Sequence, residues 1–202
     1  MQTYKISISG QVQGVGFRPF VYGLAKSLSL TGTVSNNEEG VIIYISGFET
    51  TIRNFYKKLI ENPPPVSKIK SPKITQIDFL EFADFNIIPS NKNGQLNLSL
   101  TPDFAICDDC KKDIQNPENR RFNYPFATCV NCGPRWAITR TFPFERNHTS
   151  IHDFPMCAEC EKEYSNPADR RFHSQTNTCP TCGIELILSD NLGNIVPSTP
   201  QN

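Results

Sequence analysis

The sequence predicts an α+β fold: a ferredoxin-like βαββαβ domain in the first half, then a small, duplicated, cysteine-rich module. Two observations carry this. Up to about residue 90 the apolar residues switch between a period of two and a period near 3.6, as alternating strands and helices require. All eight cysteines of the 202-residue chain lie beyond that point, between Cys107 and Cys182. Charge divides at the same place, because residues 1–100 hold 10 Lys+Arg against 7 Asp+Glu (net +3) and residues 101–202 hold 10 against 13 (net −3), summing to the formal net charge of zero. The expected limits are 1–90 for the first domain, 91–100 for a polar linker, 101–135 and 151–190 for two cysteine-rich repeats joined by a connector at 136–150, and 191–202 for a polar tail.

In the first domain, Tyr4, Ile6 and Ile8 alternate with Lys5, Ser7 and Ser9, the pattern of a strand with one buried face. From Phe17 the spacing lengthens: Phe17, Phe20, Val21, Leu24 and Leu28 share a helical face, Pro19 suits a first turn and Gly32 a C-terminal stop. Thr33–Asn36 and Val41–Phe48 read as a hairpin around a turn rich in Asn, Glu and Gly. A second helix carries Ile52, Phe55, Tyr56, Leu59 and Ile60 on one side, with Thr50 or Thr51 as its cap and Pro63-Pro64-Pro65 as its end. A strand near 74–82, and another at 85–88, would complete a four- or five-stranded antiparallel sheet with both helices on one face.

The segment Gly10-Gln-Val-Gln-Gly-Val-Gly-Phe-Arg18 joins the first strand to the first helix. Its glycines and the unpaired N–H groups of a helix start can form a concave nest around an anion, and Arg18 adds a planar fork for two phosphate oxygens. Glycine pattern alone also fits an ordinary turn with a surface arginine. Together with the helix and Thr33-Val34-Ser35-Asn36 before a hairpin, however, the segment resembles the acylphosphatase family over roughly residues 3–90. The resemblance implies that the loop Val12, Gln13, Gly14, Val15, Gly16 and Phe17, with Arg18, binds the phosphate of an acyl phosphate. It implies further that Asn36 (or the adjacent Asn37) positions the attacking water, with no cofactor.

The cysteines fall as Cys107-x2-Cys110-x18-Cys129-x2-Cys132 and Cys157-x2-Cys160-x18-Cys179-x2-Cys182, two copies 50 residues apart. The repeat includes Phe104 and Phe154, Asn116-Pro117 and Asn166-Pro167, and Arg120-Arg121-Phe122 and Arg170-Arg171-Phe172. Paired Cys-x2-Cys turns suit closed, tetrahedral, structural zinc, so two Zn2+ ions in a zinc-ribbon-like module are expected. Disulfides would need an oxidising compartment, and iron–sulfur ligation fits the equal spacings less well. Ions shared within each copy follow from the duplication; a crossed pairing of the outermost cysteines remains open. His148, His152 and His173 read as solvated or packing residues, and the paired arginines as solvated faces or as packing anchors.

Phe142-Pro-Phe-Glu-Arg146, Thr149-Ser150, Met156-Cys157, Glu163-Tyr164 and Asp169-Arg-Arg-Phe-His173 extend the resemblance over nearly the whole chain, to the amino-terminal part of the HypF family of carbamoyltransferases in NiFe-hydrogenase maturation. That resemblance implies carbamoyl phosphate as substrate and a HypE-type protein as carbamoyl acceptor. It also implies ATP-binding and transferase domains beyond Asn202, so transfer itself is not expected of these residues and the chain reads as a fragment or a truncated protein. A non-catalytic anion-binding module on a zinc scaffold and a general acylphosphatase are the competing readings. No apolar stretch approaches the ~20 residues of a membrane span, and the opening segment lacks a secretory h-region. A cytoplasmic location is expected, where thiols stay reduced. Four-thiolate zinc sites would take the second half from −3 to about −7, which disfavours nucleic acid.

Overall fold

The computed structural model describes residues 1–37, 40–89, 101–142 and 144–196. Seven elements build the first domain: β1 (Gln2–Gln11), α1 (Phe17–Ser27), β2 (Thr31–Asn37), β3 (Gly40–Gly47), α2 (Glu49–Glu61), β4 (Lys68–Ile77) and β5 (Phe85–Ile87). The strands form one sheet in the order β4-β1-β3-β2-β5. Ile6 and Ile8 of β1, Val34 of β2 and Ile43 and Ile45 of β3 meet Val21 and Ala25 of α1 and Ile52, Phe55 and Leu59 of α2 in one buried core. Burial of each large side chain contributes about 1.5–3 kcal/mol, which explains why this α2 stripe was visible in the sequence.

Several expectations need correction. The sheet is mixed, because β5 runs parallel to β2, with Gly32 opposite Phe85 and Val34 opposite Ile87. The fourth strand begins at Lys68, before the expected start near Ile74. It is an edge strand, largely exposed, that places Pro72 opposite Ile8, and an edge position tolerates proline because one row of its backbone groups needs no partner. Helix α1 stops at Ser27, where Leu28, Ser29 and Leu30 return hydrogen bonds to Ala25 and Lys26 and Ser29 turns left-handed at φ 52°. Gly32 is therefore not the helix stop but a residue of β2. The cap of α2 is Phe48, without a side-chain bond, and Thr50 and Thr51 lie inside the helix.

Beyond Thr101, the two repeats each contribute a short helix, α3 (Asp108–Gln115) and α4 (Ala158–Ser165). Each helix is capped by the first cysteine of its repeat, Cys107 or Cys157. No described helix is long and apolar enough to cross a membrane. The linker expected at 91–100 and the tail beyond residue 196 lie outside the described residues, as do Glu38 and Glu39 of the β2–β3 turn.

Candidate functional site

The Gly10–Arg18 segment leaves β1 and enters α1 through Gly16, whose φ of 73° puts the helix cap in the left-handed region; Gly14 matches it at 70°. Both positions also need glycine for space. A Cβ on Gly14 would stand 3.0 Å from Pro134 Cβ, and one on Gly16 would stand 3.1 Å from Val130 Cβ. Those neighbours belong to the first repeat, so the cysteine-rich half lies directly on the loop.

The result is a narrow cleft between the two halves. Val12, Gly14, Gly16, Phe17, Arg18 and Asn36 line it from the first domain, and Val130, Phe144, His173 and Gln175 from the second. The structure thus brings Arg18 and Asn36 together at the loop. Val12, Val15 and Phe17 also reach into the core beneath it. Gln13 turns away, and its side-chain amide braces the hairpin by donating to the carbonyls of Asn37 and Gly40 at 2.6 and 2.8 Å. Asn36 is only 1% exposed, and its Oδ1 has no hydrogen-bond partner among the described residues. A buried acceptor without a partner costs about 1–3 kcal/mol, so an acceptor held here is suited to a water or a ligand. The neighbouring Asn37 accepts a hydrogen bond from Gln13 with its backbone carbonyl, and of the two asparagines Asn36 is the one that lines the cleft.

Two residues at this site were not read from the sequence as part of it, although His173 was expected as a solvated or packing residue and does pack. Arg18 Nη1 donates to Glu145 Oε1 at 2.7 Å, an ion pair spanning the two halves. His173 stands beside that pair, with its ring 5.0 Å from Tyr164 and 4.6 Å from Phe172. Burial, reinforced by the Arg18 charge and partly opposed by Glu145, pushes the His173 imidazole down to about 4. It is neutral at pH 7. Because the folded value lies below the ordinary 6.5, its contribution to stability is complete above 6.5 and is lost as pH falls towards 4. A His173→Asn variant, which tolerates the same left-handed φ of 53°, should lose less melting temperature between pH 7 and pH 5 than the wild type; identical pH profiles would refute this.

The cysteines gather as Cys107, Cys110, Cys129 and Cys132, and as Cys157, Cys160, Cys179 and Cys182, with the Sγ atoms of each group within 4.8 Å of one another. The grouping is sequential. Three Sγ–Sγ distances in each group are 3.6–3.9 Å in the first and 3.5–3.7 Å in the second. Tetrahedral zinc with bonds of ~2.3 Å requires edges of about 3.8 Å, so both groups fit the ion, whereas a disulfide requires about 2.05 Å.

The arginine pairs are not solvated faces. Arg121 is 2% and Arg171 5% exposed, and each pair crosses to the other repeat. Arg121 donates to Glu163 Oε2 at 2.6 Å and to the Thr178 carbonyl at 2.9 Å; Arg171 donates to Asp113 Oδ2 at 2.5 Å and to the Thr128 carbonyl at 3.1 Å. Arg120 reaches Cys160 Sγ and Arg170 reaches Cys110 Sγ, both at 3.1 Å, and Arg170 also pairs with Asp113. Thr128 and Thr176 close the interface between their hydroxyls at 2.7 Å. Each repeat therefore supplies the cations that offset the thiolates of the other. Two arginines hold the Glu163 carboxyl down at about 2, against the opposing effect of its burial.

The family model for acylphosphatases matches residues 4–87, and the model for the HypF finger matches residues 106–139 and 156–189. An acylphosphatase from Staphylococcus aureus is 33% identical over 89 residues, which is 44% of this chain and 100% of that protein. The chain belongs to the acylphosphatase family. Both halves together are homologous to the amino-terminal region of the HypF carbamoyltransferases. A carbamoyltransferase HypF from Synechocystis sp. is 39% identical over 151 residues, 75% of this chain and 20% of the relative. A crystal structure of full-length HypF in its phosphate- and nucleotide-bound form superposes with a TM-score of 0.86 at 42% identity, covering 90% of this chain and 24% of that one. The chain thus spans about a fifth of the length of the curated HypF relatives that it matches.

Proposed function

We propose that the chain hydrolyses carbamoyl phosphate at the Arg18–Asn36 cleft, as the first step of a HypF-type carbamoyl transfer to a HypE-type acceptor in hydrogenase maturation in the cytoplasm. The observation that carries the reading is the buried Asn36, which lines the same cleft as Arg18 and the glycine loop and whose Oδ1 has no partner among the described residues. The substrate phosphate lies on the loop N–H groups and the Arg18 fork. Asn36 Oδ1 accepts a hydrogen bond from a water and aims it at phosphorus; the P–O bond to the carbamoyl group breaks, releasing carbamate and inorganic phosphate. An acyl phosphate has a good leaving group and a loose transition state, so positioning and charge stabilisation suffice without a strong base or a metal in the cleft. The HypF homology and the phosphate-bound form of a solved HypF support this choice of substrate.

One structural Zn2+ in each four-cysteine group, two in all, would hold the second half in shape. A four-thiolate site leaves no coordination position open to substrate, so the metals stand outside the chemistry.

Phosphate release from carbamoyl phosphate by the full chain tests the reading. Wild type should release phosphate well above background, and Asn36→Ala should lower kcat by about 100-fold with a smaller change in KM, the scale of a misplaced reactant. Wild-type release at background, or an Asn36→Ala variant as fast as wild type, would remove the proposed site.

A further inference from the structure

Arg18 lines two cavities, the phosphate cleft and a second one on its other side, and of these two Glu145 lines only the second. The ion pair is thus made behind the cleft. Among the described residues, Nη1 is the guanidinium atom with a hydrogen-bond partner, the Glu145 carboxylate at 2.7 Å. A guanidinium carries five donors in a planar fork, so Nε and Nη2 are left for an anion. Glu145 and Arg18 are 14% and 10% exposed, so the pair is largely shielded from solvent.

Glu145 is also firmly mounted. The N–H of the next residue, Arg146, donates to Gln175 Oε1 at 2.8 Å, and its guanidinium donates to the carbonyls of Phe154 and Asn177 at 2.7 and 2.9 Å. The His148 N–H donates to the Glu145 carbonyl at 2.8 Å, and Glu145 has interactions besides its pair with Arg18. The carboxylate is therefore a fixed acceptor. The two halves also meet elsewhere along the start of α1, where Val130 lies against Gly16 and the Phe172 ring stands 5.3 Å from that of Tyr22. Their docking has contacts that do not involve the ion pair.

A free arginine side chain samples many rotamers, whereas charge stabilisation in a transition state is largest when the donors already point where the charge will develop. A carboxylate behind the fork can fix it without entering the space that an anion takes. The same carboxylate repels a phosphate across the guanidinium, so it adds little to binding in the ground state. Its contribution belongs to turnover.

We propose that Glu145 is a positioning residue: from behind the cleft it holds the Arg18 guanidinium with its remaining donors towards the phosphoryl group, so that the finger half completes the hydrolytic site without touching substrate. The inference rests on the hydrolytic reading for its reaction, but its test separates the two. In the full zinc-loaded chain, Glu145→Ala should lower kcat for carbamoyl phosphate by about 10- to 100-fold, the scale of a misplaced group. KM should stay within about 3-fold, because lost orientation and lost repulsion act in opposite directions. Glu145→Gln keeps an acceptor oxygen at the same reach and should recover most of the rate, whereas Glu145→Asp, one methylene short, should not. In an Arg18→Ala background, removal of Glu145 should change kcat by less than about 3-fold, since no guanidinium is left to orient. Equal losses in both backgrounds would mark a merely structural role and overturn the proposal, as would a Glu145→Ala variant as fast as wild type or faster. If wild type releases no phosphate, the hydrolytic reading fails by itself, and the orientation is read from nitrogen NMR of labelled arginine. The Arg18 Nη signals, identified by their absence from Arg18→Lys, should be resolved by slow rotation in wild type and averaged in Glu145→Ala; averaging in both would overturn the proposal.

Discussion

Arg18→Ala is expected to lower kcat/KM for carbamoyl phosphate by about 1,000-fold, equivalent to about 4 kcal/mol of lost transition-state stabilisation. In the proposed site the guanidinium is the charged donor for the phosphoryl oxygens, and at 10% exposure it is shielded enough for that charge to count. Arg18→Lys keeps the charge but loses the planar fork, and should recover only a small part of the rate. Removing the arginine also strips Glu145 of its 2.7 Å partner, so some of the loss could come from disturbed docking between the halves. The double variant Arg18→Ala/Glu145→Ala, which leaves no lone carboxylate, separates the causes. Its melting temperature should exceed that of Arg18→Ala while its turnover stays low. Turnover within about 10-fold of wild type in either variant would place the phosphate-binding charge elsewhere.

Chelation of zinc is expected to collapse the second half while the first domain keeps its sheet. Structural zinc contributes about 10–16 kcal/mol in isolated finger peptides, on the scale of the whole stability of a typical domain. Here each metal group also receives arginines from the opposite repeat, so stripping one ion leaves Arg120 or Arg170 facing a thiolate cluster that has lost its centre. Elemental analysis of the purified protein should give two zinc ions per chain. After chelation, hydrogen exchange should become fast through residues 101–196 and stay slow in β1, β3 and α2, whose core is built without any residue from the finger half. Retained protection in α3 and α4 after complete metal removal would show that the metals are not what holds these repeats.

The legible parts of the fold were those with one buried face. β1, β3, α1 and α2 each set a clean apolar pattern against a single core, and local periodicity reports that. β4 carried little such signal because an edge strand buries little, and the three-residue β5 pairs in parallel with a strand more than 50 positions away. The cysteine grouping was readable from the duplication alone. The arginine pairs were not, since two adjacent charges look the same whether water or a partner such as Glu163, 42 residues from Arg121, receives them. Glu145 was further out of reach: its partner Arg18 is 127 residues away, and no local pattern marks a carboxylate for a site assembled from two halves.

The exchange of arginines between the repeats has a consequence for how the protein can be divided. Neither copy is a self-sufficient unit: cut between them, and Asp113 loses Arg170 and Arg171 while Glu163 loses Arg120 and Arg121. A gene duplication that ended in mutual dependence of this kind is hard to reverse, because losing either copy strands the acidic and sulfur ligands of the survivor. The smallest piece that can be inherited, transplanted or expressed intact is the pair.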